Sequence, residues 1–211
     1  MTAREAILEK VTQAVGDHSA SCDGEYSAIV RNYRHQGRAA TGDILDLLAD
    51  RLHDYDAGVY RCTRDEIAPT VARAMESRKK SGLLRPEHVP QEWLPSSHRF
   101  PVADGLSYAE IDIADGVITG CVTAIAFTGT IILKHSEADG RRALTLIPDY
   151  HLCVVFADQV VETVPEGFAR LKGIETMPIT TVSGPSATAD IEMVRVKGVH
   201  GPRFLDVILV V

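Results

Sequence analysis

The residues best suited to chemistry crowd into the last thirty positions. Ser183-Gly-Pro-Ser-Ala-Thr188 is a turn rich in hydroxyls, Asp190 and Glu192 follow it, and Gly198-Val-His-Gly-Pro202 is a second turn that presents His200 between glycines. Glycine lets backbone amides approach a ligand, and proline suits the first turn of a helix. A helix starting after Gly184 would therefore aim its free amides, with the hydroxyls of Ser186 and Thr188, at a carboxylate or phosphate. The competing reading is a serine that caps the helix and binds nothing. An imidazole titrates near neutrality, so His200 is a candidate acid–base group; His151, beyond Pro148 at the mouth of an apolar strand, is another. For either histidine a structural hydrogen bond is the competing role. Asp190 falls near the first turn of the expected helix, where the dipole favours a carboxylate, and Glu192 diverges from it. Thr128-Gly-Thr130 lies between apolar strands and offers Thr128, Gly129 and Thr130 as further ligand contacts, although a bulge or hairpin corner uses the same residues.

Familiar signatures of a reaction class are missing. The chain holds no G-x-S-x-G, Walker P-loop, Rossmann G-x-G-x-x-G or H-E-x-x-H pattern, and no spacing of ligands assembles a metal site. Its four cysteines, Cys22, Cys62, Cys121 and Cys153, are widely scattered with no C-x-x-C pair, which argues against a bound iron–sulfur cluster or redox dithiol. They read as free thiols of a reducing cytoplasm. The net charge of -7 gives no basic stripe for nucleic acid. The cluster Arg78-Lys79-Lys80 fits a helix end, where cations favour the dipole. No apolar run approaches the roughly 20 residues that cross a bilayer, and the N-terminus reads as neither signal nor transit peptide.

These candidate groups need a scaffold. With 211 residues, 45% hydrophobic and 24% charged, the chain is long enough for one sizeable core. Residues 3–15 fit a short amphipathic helix, and residues 16–42 read as a polar, irregular arm. Ile44, Leu47, Leu48 and Leu52 recur at helical spacing, predicting a helix over 43–55 capped by Thr41 or Asp43. A strand over 57–62 follows, and then Thr63 and Glu66 form a capping box for a helix running to about Lys80. Residues 84–101 form a proline-punctuated connection whose tryptophan, Trp93, packs. Beyond Gly116 the apolar runs 117–127, 131–133, 142–147, 152–156 and 179–182 read as strands, with a short helix over 165–172 and a last strand at the C-terminus. Strands apolar on both faces and interleaved with helices predict an α/β fold, a Rossmann-like sheet covered by helices. The expected organisation is an N-terminal helix and arm over 1–42 and an α/β domain over 43–211.

Four ordered motifs then point to a family. Thr119-Gly-Cys with Ala124-Ile-Ala and Thr128-Gly-Thr-Ile-Ile-Leu133, then Arg142-Ala-Leu-Thr-Leu-Ile-Pro-Asp-Tyr-His151, Gly184-Pro-Ser-Ala-Thr-Ala-Asp-Ile-Glu192 and Gly198-Val-His-Gly-Pro202 closely resemble the LUD domain, and within it the lactate utilization protein C family. The resemblance covers about half the chain, from Gly116 to Val211. It implies a cytoplasmic subunit that acts with two iron–sulfur partner proteins in oxidising L-lactate to pyruvate. It implies a fold like the sugar-phosphate isomerase and CoA-transferase group, and it places the clusters in the partners, with no cofactor in this chain. An oligomer is compatible with it.

Three positions depart from the family's usual pattern. Phe127 stands where an acidic residue commonly precedes the Thr-Gly-Thr turn, Val122 where one often follows Gly-Cys, and Ala187 where a basic residue is usual. Those losses weaken a catalytic role and leave amides and hydroxyls for binding. The expected site is thus an anion-accepting pocket at Thr128–Thr130, Ser186–Asp190 and His200. Alternatives are a stand-alone transferase or isomerase acting on a small anionic substrate, and a non-catalytic assembly scaffold.

Overall fold

The computed structural model describes residues 2–16, 19–135, 140–188 and 196–211. They fall into two compact units, Met1–Tyr33 and Arg34–Val211. In the first, helix α1 (Ala3–Val15) begins at a capping box: the Thr2 hydroxyl accepts the Glu5 amide and the Glu5 carboxylate accepts the Thr2 amide. Gly16 closes it with a positive φ of 67°. A second helix, α2 (Ser19–Ala28), follows where the sequence suggests an irregular arm. The segment lacks an apolar stripe at helical spacing, so the signal that marks α1 is missing from it.

The second unit opens with α3 (Thr41–Asp54), which buries Leu45, Leu48, Ala49 and Leu52 along one stripe. Strand β1 (Gly58–Cys62) leads to a single 3₁₀ turn closed by the Thr63–Glu66 capping box, and then to α4 (Ile67–Ser77). Pro69 sits in the first turn of α4, where its missing amide breaks no helical bond. The proline-rich connection carries the short α5 (Tyr108–Asp112). Strands β2 (Val117–Thr119), β3 (Thr123–Ile125) and β4 (Thr130–Lys134) divide the apolar run at Gly120. Next come α6 (Arg142–Leu146), β5 (Tyr150–Phe156), β6 (Val160–Val161), α7 (Val164–Ala169), β7 (Ile179–Val182), β8 (Ala187–Thr188), β9 (Val196–Lys197) and β10 (Phe204–Val210).

Two further sequence expectations fail in the second unit. Residues 142–147 are not a strand: α6 occupies them, because Leu144 points into a small core with Leu84, Ala103, Ile111 and Val117 while Arg142 and Leu146 stay exposed. No helix starts at the Gly-Pro-Ser turn either; Ala187 and Thr188 pair antiparallel with Lys197 and Val196. The helix-dipole argument for anion binding at that turn therefore lapses.

The main sheet, in the order β1-β10-β5-β2, is parallel throughout. It is buried on both faces, as an α/β sheet requires. Cys153, Val155, Leu205, Val207 and Leu209 pack against the α3 stripe. Tyr150, Leu152, Val154, Ile208 and Val210 pack against Ile67, Val71, Ala74 and Met75 of α4, with Trp93 and Leu94 from the connection. The expected helix-covered parallel sheet is what the chain forms. A second, mixed sheet in the order β6-β3-β4-β7 stands beside it.

One polar group sits inside this core. Asp206 is fully buried on β10, and Arg78 donates to it twice, Nε to Oδ2 at 3.0 Å and Nη2 to Oδ1 at 2.5 Å. The Tyr150 hydroxyl donates a third bond at 3.0 Å. The bond to Asp206 raises the Arg78 pKa further, and burial followed by the Asp206 charge raises that of Tyr150, so both remain protonated donors. Gly58 is required beside them, because a Cβ there would lie 2.2 Å from Asp206 Oδ1.

Candidate functional site

Between the two sheets runs a cleft with two lobes that meet at Thr145 of α6. The first lobe, about 290 Å³, is walled by β7 and the Gly-Pro-Ser turn on one side and by the His200 turn and Leu205 on the other. Arg142 and Leu146 of α6 line it, and His151 on β5 lies at its back. The lobe opens near the amino ends of β5 and β10, not at the carboxyl ends where parallel sheets more often place ligands.

The structure brings several of the sequence candidates together here. The His200 amide donates to Ser186 Oγ at 3.0 Å, and the Ser186 amide donates to the Pro202 carbonyl at 2.8 Å. The Gly198 amide donates to the Ser186 carbonyl at 2.9 Å. The two turns therefore hold each other, and the Ser186 amide is already engaged. Gly184 lines the lobe with a positive φ of 87° and packs on Tyr55, where a Cβ would approach to 2.4 Å.

The Thr-Gly-Thr turn reaches the lobe only indirectly. Thr128 Oγ1 lies 2.7 Å from Thr130 Oγ1, which lies 2.7 Å from Ser183 Oγ, so a chain of hydroxyls ends on the lobe's wall. Gly129, at φ 61°, packs against Arg51 of α3, where a Cβ would come within 2.8 Å. It serves helix packing. Thr188 sits in the β8–β9 ribbon outside the lining, and Asp190 and Glu192 lie outside the described residues.

His151 is 2% exposed, and its Nε2 lies 2.8 Å from Thr119 Oγ1. Burial lowers its pKa to about 4, so the ring is neutral at physiological pH and serves as a hydrogen-bond partner, not a proton donor. His200 is exposed on its turn.

The cation that lines this lobe, Arg142, was missed in the sequence. Arg142 donates from Nη1 to Thr180 Oγ1 at 2.5 Å, and Thr180 also meets His135 Nε2 at 2.7 Å. Read as a strand, residues 142–147 gave Arg142 no reason to face a cavity; the basic pair Arg141-Arg142 ahead of the run was the available hint. No acidic side chain occurs among the described residues that line this lobe, although the chain as a whole carries a charge of -7. Arg142, with the hydroxyls of Thr145, Thr180, Thr181, Ser183 and Ser186, makes a cradle suited to a small carboxylate.

The second lobe, about 280 Å³, lies at the carboxyl end of β2 between Trp93 and β4. Cys121 contacts Gln159 Oε1 at 3.6 Å, and its thiol is pushed well above the ordinary range by its bond to Cys153 and by burial, so it is a poor nucleophile. Among the described residues no group of three His, Cys, Asp or Glu side chains can hold a metal ion, and no helix is long and apolar enough to cross a membrane.

Comparison with known proteins gives this geometry a context. The family model described as the LUD domain matches residues 5–210. A protein of Deinococcus radiodurans named lactate utilization protein C is 46% identical over 171 residues, which are 80% of each chain. An uncharacterized protein of Neisseria meningitidis is 28% identical over all of this chain and 94% of its own. The crystal structure of a DUF162 family protein from Deinococcus radiodurans matches with a TM-score of 0.71 at 38% identity, over 82% of this chain and 100% of that one.

Proposed function

The chain belongs to the LUD domain family and within it to the lactate utilization protein C group, and on that premise we propose that it is a lactate utilization protein that holds L-lactate in the Arg142 lobe. The relative at 46% identity over four-fifths of both chains carries the first half of this reading. The second half rests on the lobe's chemistry: one guanidinium, several hydroxyls and no described carboxylate in a chain of net charge -7.

In this reading the lactate carboxylate pairs with Arg142 and accepts from Thr180 and Ser183, and its hydroxyl faces the His200 rim. Oxidation to pyruvate removes two electrons and two protons. Iron–sulfur clusters held by partner proteins would take the two electrons, His200, exposed at the rim, would take the hydroxyl proton, and the C2 hydrogen would leave as a proton to water at the open rim. His151 keeps Thr119 in place as a neutral ring. The compartment is the cytoplasm.

Three measurements test this. A strain deleted for its own copy should lose growth on L-lactate, regain it with the wild-type chain, and not with Arg142→Gln. Calorimetry should show L-lactate binding that the same substitution weakens. Iron–sulfur proteins should co-purify from lactate-grown cells. Undiminished growth of the deletion strain would overturn the role, and equal lactate binding by Arg142→Gln would overturn the site. One observation favours a second reading, an assembly scaffold: the Ser186 amide and hydroxyl are both used within the protein. Under it, Arg142→Gln supports growth fully while iron–sulfur proteins still co-purify.

A further inference from the structure

The Arg142 lobe is larger than the acid assigned to it. Lactate occupies roughly 120 Å³, the share of four waters in the liquid, and the lobe holds about 290 Å³. Small-molecule sites enclose most of the surface of their ligand. A lactate held at Arg142 would leave more than half of the lobe to something else.

The remaining space has an apolar lining. Leu205 belongs to the core beneath α3, Val182 packs against that core, and both line the lobe together with Leu146, Pro185 and Pro202. Leu146 is 40% exposed. A lone exposed leucine is ordinary, but this one borders a cavity that core residues also line. A Cβ at Gly201 would lie 3.9 Å from Leu146 Cδ1 and 3.4 Å from Ser186 Cβ, so the bare glycine leaves the passage between those two side chains open.

Helix α6 sets the length of acid that suits this lining. Arg142 and Leu146 are four residues apart on it, hence on one face and about 6 Å apart along the axis. The methyl of lactate is two C–C bonds from its carboxylate carbon, about 2.5 Å, and stops short of Leu146 when the carboxylate meets Arg142. A branched four-carbon side chain ends four bonds away, about 5 Å, and reaches it.

We propose that the Arg142 lobe takes 2-hydroxy acids whose apolar side chains are longer than the methyl of lactate, up to the four carbons of 2-hydroxyisocaproate, with the side chain along Leu146, Val182 and Leu205. The proposal rests on the lactate reading, because it keeps the carboxylate at Arg142 and the hydroxyl toward His200. It makes the apolar lining the part that chooses among 2-hydroxy acids. Each methylene moved from water onto an apolar wall favours binding about fourfold. Three added carbons would give about sixtyfold in a closed site. The gain here is smaller, because Leu146 also borders the outer cavity.

Calorimetry on the full chain with L-lactate, L-2-hydroxybutyrate, L-2-hydroxyisocaproate and L-glycerate tests it. Affinity should rise along the first three, by about tenfold from first to last. Glycerate matches 2-hydroxybutyrate in size but ends in a hydroxyl, and should bind at least about threefold more weakly than it. Leu146→Ala should lower the ratio of 2-hydroxyisocaproate to L-lactate affinity at least about fivefold. Flat or falling affinity along the series, glycerate equal to 2-hydroxybutyrate, or a ratio unmoved by Leu146→Ala would overturn the proposal. The lactate reading would survive any of these while L-lactate binding still depends on Arg142. If Arg142→Gln weakened none of the four acids, both would fall. Should Leu146→Ala fail to fold, the four-acid series on the wild-type chain decides it.

Discussion

Tyr150 and His151 are neighbours on one strand and point to opposite faces of one sheet, yet the polar groups around them behave in opposite ways. On the Tyr150 face, Asp206 is matched by a two-bond guanidinium and a hydroxyl, and α4 closes over the group. On the His151 face, the polar side chains lead to a lobe lined by Arg142, His200 and hydroxyls, while Asp112 and Asp149 line only the adjoining outer cavity that Arg142 and His200 also border. A buried charge whose partners are all supplied by the fold is structural. A cation set against neutral donors and acceptors is left for something from outside.

The strongest test of that contrast removes the guanidinium of the closed cluster. Arg78→Ala leaves the Asp206 carboxylate at 0% exposure with only the Tyr150 hydroxyl, and should cost about 3–5 kcal/mol in urea unfolding. Lactate binding to whatever fraction stays folded should not change. A cost below about 1 kcal/mol would mean that water reaches Asp206 and that the two faces are not different in kind.

The His151 face should instead show itself in pH. Its folded pKa, about 4, lies below the usual 6.5, so the unfolded chain binds the extra proton first as pH falls. The stability that the neutral ring contributes is complete above about pH 6.5 and is lost progressively toward pH 4. Between pH 7 and pH 5 this group alone should cost about 2 kcal/mol, and His151→Gln should flatten that part of the curve. A slope unchanged in the variant would place the acid sensitivity elsewhere.

Much of the scaffold was legible because it obeys simple periods. The α3 stripe, the Thr63–Glu66 box and the two long strands β5 and β10 follow from spacing and apolar runs alone. Residues 142–147 misled because Ala143, Leu144, Leu146 and Ile147 suit a five-residue helix as well as a strand, and only the fit of Leu144 among Leu84, Ile111 and Val117 decides between them. That error hid Arg142. His151 looked like a residue at a strand mouth, but β5 starts at Tyr150 and takes the ring inside. The Trp93 lobe was out of reach for another reason: its walls come from residues near 86–93, 119–122, 133–135, 145 and 174, and no local pattern joins them.

Arg142→Gln tests the open face directly. The side chain is exposed and its bond to Thr180 lies at the surface, so folding stability should move by no more than about 0.5 kcal/mol. Its loss from a charge-assisted contact should still weaken L-lactate about tenfold in calorimetry. A variant that unfolds easily while binding lactate normally would reverse the assignment and make Arg142 a structural residue.

The smallest effect belongs to the pair that borders both arguments. Arg203 Nε meets Asp149 Oδ1 at 2.6 Å beside the His200 turn, but the two side chains are 58% and 37% exposed. Held in water, such a pair contributes about 0.2–1 kcal/mol, and salt screens it. A double-mutant cycle with Arg203→Ala and Asp149→Ala should therefore give a coupling in that range that fades in about 1 M salt. Because Asp149 stands near the rim and not in the lining of the Arg142 lobe, Asp149→Ala should leave lactate affinity within about twofold. A coupling of several kcal/mol would show that matched charges here are held as firmly as at Asp206, and that solvent exposure does not separate the two faces.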